Sequence, residues 1–484
     1  MKSPAFVVAA ALLFILAVPS SLTSAQTADG DSWTKMRSKN FTLVGNADER
    51  EIRLVATRLE QFREVFKRLP LSDGRFETFV PTTVIVFRND LAYRPFAPLY
   101  QGTPNSVSGY FQSSADMNYI TLSADEKHAA NPDELAFHEY VHLLVKNSFE
   151  RAPLWFNEGL AEFYSTFELK DGNRTVRLGK PIRSRVRSLR KRELLPLSTL
   201  LTVDDRSPFY HEAGKREIFY SQSWALVHYL LNGGNGVRRQ QLLRYLNLMA
   251  AGQTNEEAFR QAFECEPATL EAELQGYVQL GRYVEQSVTF AQALEFDADV
   301  QAAPLTPAET RFFLGDLLLH TSRFEDSETY LVEALKLDEN LAPAHTAFGT
   351  LRLRQNRYAE AIESLQRAVR LDPENYLAHY AYADALSREG MGSENQIDGY
   401  YTPERLRLIR TELKKAIELS PNFIESYRLL ALVNLIMNDQ LDEANATLKQ
   451  AIKLAPEQLE LSFLLAQVHF RQDDFRSARQ LLSS

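Results

Sequence analysis

The stretch that decides the fold is "NPDELAFHEYVHLLVKNSF", residues 131–149. Asn131 can cap a helix, Pro132 fits its first turn, and Asp133 and Glu134 suit the positive end of its dipole. Within that helix His138 and His142 stand four residues apart, so they project from one face and can share a single ion. Glu139 is turned to the side of the pair, placed to reach a water rather than the ion. HEYVH by itself is only suggestive, so its surroundings must decide between a metal site and an ordinary amphipathic helix.

Immediately downstream, "RAPLWFNEGLAEFYSTF" (151–167) reads as a second helix starting near Pro153, with Glu158 and Glu162 four residues apart on one face. A hydrolytic zinc ion needs three protein ligands and one open position. One of these two carboxylates can supply the third ligand while the other holds a ligand histidine by its remaining ring N–H.

"HEYVH" followed by "PLWFNEGLAEFY" resembles the gluzincin metallopeptidases of the peptidase-MA-like type, which share the aminopeptidase NEG-A phrase. The resemblance extends over most of residues 33–285, including "WTKMRSKNFTLVGNADEREIRLVATRLEQF" and "FYSQSWALVHYLLNGGNG". It implies one zinc ion held by His138, His142 and Glu158, with Glu139 as general base and Glu162 and Asn157 steadying the ligands from behind. The interval from His142 to Glu158 is shorter than in aminopeptidases or thermolysin-like enzymes, and counting alone favours Glu162. The matching phrase around Glu158 outweighs that count, and a shortened "VKNSFERAPL" loop absorbs the difference. Related enzymes often place a Tyr or His on a later helix facing the metal, which makes Tyr220, in "REIFYSQSWALVHYL", the candidate oxyanion donor. They also line the substrate cleft with an edge strand, and "SGYFQSSADMNYITL" (108–122) stands in the corresponding place. The implied activity is zinc-dependent hydrolysis of peptide bonds, with an endopeptidase favoured because no phrase for gripping a free amino terminus is present.

Residues left outside this site read as structural. His228, in the apolar run after Tyr220, reads as a packed helix residue; His211 receives no role. Cys265, the only cysteine, cannot form an internal disulfide and reads as a small core residue.

The carboxyl-terminal third repeats itself. "AFGTLRLRQNRYAEAIESLQRAVRLDPE" places Gly349, Tyr358, Ala361, Ala368 and Pro373 at the positions a tetratricopeptide repeat uses, and Gly315 and Ala334 precede their counterparts by 34 residues. "KKAIELSPN" and "KQAIKLAPE" repeat the closing phrase. Residues 307–484 are therefore expected to form an all-α solenoid that binds a partner protein, with an insertion near 390–404 carrying about fourteen extra residues. Upstream, "FTLVG", "TTVIVF" and "YITLSA" read as strands, and "EREIRLVATRLEQFREVFKRL" as a helix. The expected fold is thus an α+β zincin-like domain over 33–285, its α/β part about 33–130 and its helical part about 131–285. A linker at 286–306, marked by Pro304 and Pro307, joins it to the repeats.

The first 25 residues, "MKSPAFVVAAALLFILAVPSSLTSA", read as an export signal, and no later run is apolar and long enough for a membrane helix. The expected location is periplasmic or secreted. A formal charge of −9 offers no support for a nucleic-acid partner. The run "GKPIRSRVRSLRKRELLP" clusters Lys180, Arg183, Arg185, Arg187, Arg190, Lys191 and Arg192, and reads as a solvated surface segment or a grip for anionic lipid, polysaccharide or acidic substrate. The rival to a peptidase is a catalytically silent zincin-like domain in a repeat scaffold; proteolysis with and without a chelator separates the two.

Overall fold

The computed structural model describes residues 32–483 apart from 69–79, 101, 105–107, 126–131, 150, 234–236, 297–299, 392–400 and 457. The expected export signal, the Asn131 cap and most of the 390–404 insertion lie outside the described residues. No helix among the described residues is long and apolar enough to cross a membrane.

The amino-terminal half alternates strands and helices. In order it contains β1 (Thr34–Arg37), β2 (Phe41–Gly45), α1 (Glu49–Phe66), β3 (Thr82–Phe87), α2 (Asp90–Tyr93), a 3-10 turn η1 (Arg94–Phe96), and the short strands β4 (Leu99–Tyr100) and β5 (Thr103–Pro104). Then come β6 (Gly109–Ser113), β7 (Asn118–Ser123), α3 (Pro132–Ser148) and α4 (Leu154–Ser165). The strands β8 (Glu168–Lys170) and β9 (Thr175–Leu178) precede α5 (Arg183–Lys191), α6 (Leu197–Thr202), α7 (Pro208–His211) and α8 (Ala213–Asn232). The helices α9 (Val237–Ala250), α10 (Asn255–Phe263) and α11 (Pro267–Leu280) lead to β10 (Gln286–Thr289) and β11 (Gln301–Pro304).

Six strands form one mixed sheet in the order β11-β1-β2-β3-β7-β6, with β2, β3 and β7 parallel and β6 antiparallel at one edge. β3 is buried at every position, and alternation explains why. Val84 and Val86 point into the core shared with α1 and α3, whereas Ile85 and Phe87 point to the other face.

That second face is covered by the first repeat helix. The repeats comprise α12 (Pro307–His320), α13 (Phe324–Leu337), α14 (Ala342–Arg354), α15 (Tyr358–Leu371), α16 (Tyr376–Met391), α17 (Pro403–Leu419), α18 (Ile424–Ile436), α19 (Leu441–Leu454), α20 (Leu459–Arg471) and α21 (Phe475–Ser483). They pack as successive pairs, giving a helical solenoid after an α+β region. Gly349 shows why the pairing needs small residues: a Cβ there would lie 2.4 Å from Leu365 Cγ on the partner helix. Phe313, Leu314, Leu317 and Leu318 of α12 are buried against Ile85, Phe87 and Tyr119 of the sheet and Trp33 just ahead of β1. Each such side chain contributes roughly 1.5–3 kcal/mol relative to exposure.

The expected linker at 286–306 is corrected by this arrangement. β10 pairs with β9, and β11 joins the main sheet beside β1, so the segment is woven into the first domain. β11 is exposed along its length and four residues long, so it carries no alternating apolar signal; pairing to β1 and docking of α12 hold it in place.

Candidate metal centre

The centre is built where α3 and α4 cross beneath the edge strand. α4 can approach α8 because Gly159 has no side chain: a Cβ would lie 2.4 Å from Ser223 O and 2.6 Å from Val227 Cγ2. This close packing fixes the neighbouring Glu158, which is buried and faces both α3 histidines. Glu158 Oε2 lies 3.4 Å from His138 Nε2 and 3.6 Å from His142 Nε2, and has no hydrogen-bond partner. One donor atom from each of the three residues falls within 4.8 Å of the others.

Supporting contacts orient these donors. His142 Nδ1 is 2.9 Å from Asn157 Oδ1; a carbonyl oxygen only accepts, so Nδ1 donates there and Nε2 is the ring atom facing Glu158. His138 Nδ1 is 3.9 Å from Glu162 Oε1. Glu162 is gripped by Arg185, whose Nε and an Nη atom donate at 3.0 and 2.5 Å to its two oxygens. On the side of Glu158 away from the imidazoles, the Tyr210 hydroxyl donates to Oε1 at 3.2 Å.

A buried carboxylate that leaves one oxygen unmatched normally costs a few kcal/mol, so the orphaned Oε2 between two imidazoles is informative. Two imidazole nitrogens and one carboxylate oxygen form a donor set that fits a divalent ion such as zinc, with their opposite sides already held by hydrogen bonds. The electrostatics agree. Burial alone would depress the His138 imidazole, yet the facing Glu158 and the charges of Glu139 and Glu162 raise it to about 9. Burial would likewise raise Glu158, but the two histidines hold it below the usual glutamate value.

Glu139 is buried beside the pair without joining the donor cluster. Burial raises its carboxyl, opposed by His138 and His142, and the Phe111 backbone N–H of β6 is hydrogen-bonded to it. Tyr220 lies on α8 with its ring parallel to His138 at 6.5 Å and to Tyr210 at 6.3 Å. Both phenols stay protonated: Glu158 is the main cause for Tyr210 and burial for Tyr220.

These groups line one cleft of about 820 Å³, with β6 along one wall and α5, α7 and α8 opposite. Ser123 N donates to Ser108 O, closing that pair inward, so by antiparallel alternation the backbone groups of Gly109, Phe111 and Ser113 face away from β7.

The structure therefore brings together His138, His142, Glu158, Glu139, Asn157, Glu162 and Tyr220. His228 stands apart, buried, bonded through Nδ1 to Tyr277 Oη at 2.7 Å and through Nε2 to Gly179 O at 3.0 Å, while His211 lines the cleft. Sequence reading missed two participants. Tyr210 sits on a one-turn helix capped by Ser207, with no motif around it. Arg185 was visible only as one member of a basic run.

A family model described as a protein of unknown function, DUF1570, matches residues 135–253, a span that contains the centre. Two tetratricopeptide-repeat models match residues 346–390 and 435–484, so the carboxyl-terminal array consists of such repeats. No curated protein matches the chain. Among solved structures, YrrB, a TPR protein with an unusual peptide-binding site, is 20% identical over 36% of this chain and 83% of its own, with a TM-score of 0.31. MamA 41-end from Desulfovibrio magneticus RS-1 is 18% identical over 37% of this chain and 93% of its own, with a TM-score of 0.31. A thermophilic TPR protein of Thermus thermophilus is 20% identical over 36% of this chain and 88% of its own, with a TM-score of 0.31.

Proposed function

We propose that the protein is an exported zinc-dependent peptidase whose repeat array binds a partner or substrate protein. The observation that carries this reading is the buried, unmatched Glu158 Oε2 between the Nε2 atoms of His138 and His142.

His138, His142 and Glu158 are the residues that would hold the ion, in a zincin-like arrangement. When bound, zinc supplies Lewis acidity and lowers the pKa of water toward neutrality. Glu139 accepts the proton of the attacking water and returns it to the leaving amine; its burial-raised carboxyl suits both transfers. Tyr220 is the donor assigned to the developing oxyanion, and Tyr210 restrains Glu158. Asn157 fixes the His142 tautomer, and Glu162, clamped by Arg185, steadies His138.

The outward edge of β6 suits an extended peptide added as a further strand at Gly109 and the Phe111 carbonyl, the Phe111 N–H being held by Glu139, and this favours internal cleavage. Tetratricopeptide arrays generally engage proteins along a groove, and here the first repeat helix packs directly on the sheet of the first domain. The amino-terminal run read as an export signal is what supports a periplasmic or secreted location.

The test is an unbiased digest of a peptide library by the mature protein, its Glu139→Gln variant, and wild type after chelation. Wild type should cleave, chelation should stop cleavage, and Glu139→Gln should lose at least about 10²-fold while retaining zinc. A fully active Glu139→Gln variant overturns the assignment.

A further inference from the structure

A row of cations starts at the rim of the cleft. Ile182, Ser184 and Arg185 line the cleft, so the first turn of α5 is part of its wall. Ile182, Val186 and Leu189 turn inward against the core. Arg183, Arg187 and Lys191, spaced at four-residue intervals, share the outward face and are exposed, as are Lys180 and Arg190. Arg185 and Arg192 are neutralised by Glu162 and Glu217, but none of these five exposed cations makes an ion pair with a described residue. Lys180 is close enough to counter the burial-raised carboxyl of Glu134 in the cleft wall, which ties the row to the site.

Inside the cleft Arg185 is already held by Glu162, and Glu134 and Glu139 line the same wall, so an acidic side chain gains less there than on the exposed row. The eight steps from Arg183 to Lys191 span about 12 Å along the helix, the reach of roughly four residues of extended chain. We propose that the exposed Arg183–Arg187–Lys191 stripe is an exosite for an acidic stretch of the polypeptide substrate, lying a few residues beyond the bond that is cut. The inference rests on the peptidase reading, because the stripe runs along the helix whose first turn, through Ile182, Ser184 and Arg185, lines the cleft that a polypeptide would occupy. In a chain of net charge −9, such a stripe also steers acidic segments toward a face that attracts them.

The experiment uses the full mature chain, a triple variant Arg183→Gln, Arg187→Gln, Lys191→Gln, and a charge-retaining variant Arg183→Lys, Arg187→Lys. Cleavage sites are mapped in a library of natural-sequence peptides, and binding of a fluorescein-labelled octaglutamate peptide and of phosphatidylglycerol vesicles is measured at low and high salt. The expected result is enrichment of Asp and Glu at a fixed offset from the cleaved bond. In the triple variant the ratio of acidic to neutral peptide cleavage and the octaglutamate affinity both fall about tenfold, while the lysine variant keeps both. Cleavage without acidic enrichment overturns the exosite and leaves the peptidase reading standing. Octaglutamate binding with no cleavage of any peptide removes the peptidase reading, and the substrate exosite with it. Vesicle binding that depends on the same three residues, with no effect on peptide choice, overturns the proposal in favour of a membrane surface.

Discussion

Tyr210 and Glu158 meet through one hydrogen bond of 3.2 Å from the phenol to Oε1, which leaves Oε2 alone facing the two imidazoles. The bond divides the carboxylate into a restrained oxygen and an available one. Its removal separates two roles that adjacent tyrosines could otherwise share. Tyr210→Phe should weaken zinc retention by about tenfold in competition with a chelator. Tyr220→Phe should keep the zinc and lower the cleavage rate by about 10²-fold. The reverse pattern exchanges the two assignments.

Gly159 sets the distance between α4 and α8. Gly159→Ala places a methyl within 2.4 Å of Ser223 O, and should cost about 1–3 kcal/mol of stability by overpacking while displacing Glu158 from its histidines. Gly276→Ala is the control: a Cβ there meets nothing within 4 Å, and the change inside α11 should be neutral or stabilising by up to about 1 kcal/mol. Chemical denaturation midpoints of both variants check this, and equal destabilisation contradicts it.

Docking of the first repeat carries a pH signature. His320 at the end of α12 is buried between Asp316 and Asp116 of the β6–β7 turn, with Tyr119 Oη bonded to Asp316. Burial alone would depress the imidazole, but the two carboxylates raise it to about 9. A raised histidine stabilises the fold fully below its unfolded pKa of about 6.5, and that stability is lost as pH rises through about 9. The difference in denaturation midpoint between wild type and His320→Gln should therefore shrink between pH 6.5 and 10. A constant difference across that range contradicts the assignment.

How much of this was legible in the sequence depended on the range of each interaction. The α3 histidines, the two glutamates of α4 and the 34-residue period are local patterns, and they read directly. "TTVIVF" also read directly as a strand, but its unbroken burial needs a cover on both faces, and the second cover comes from α12, more than two hundred residues later. β10 and β11 exist through pairing rather than through alternation, so they read as linker. Arg185 and Tyr210 reach the site from segments 23 and 52 residues away from their partners, with no motif of their own.

Zinc content is the most direct test of the central claim. Metal analysis of the purified mature protein should give about one equivalent per chain for wild type and for Glu139→Gln, most of it for Glu162→Gln, and little for Glu158→Gln or His142→Ala. A wild-type protein that binds no metal, or a Glu158→Gln variant that keeps its zinc while Glu162→Gln loses it, contradicts the account.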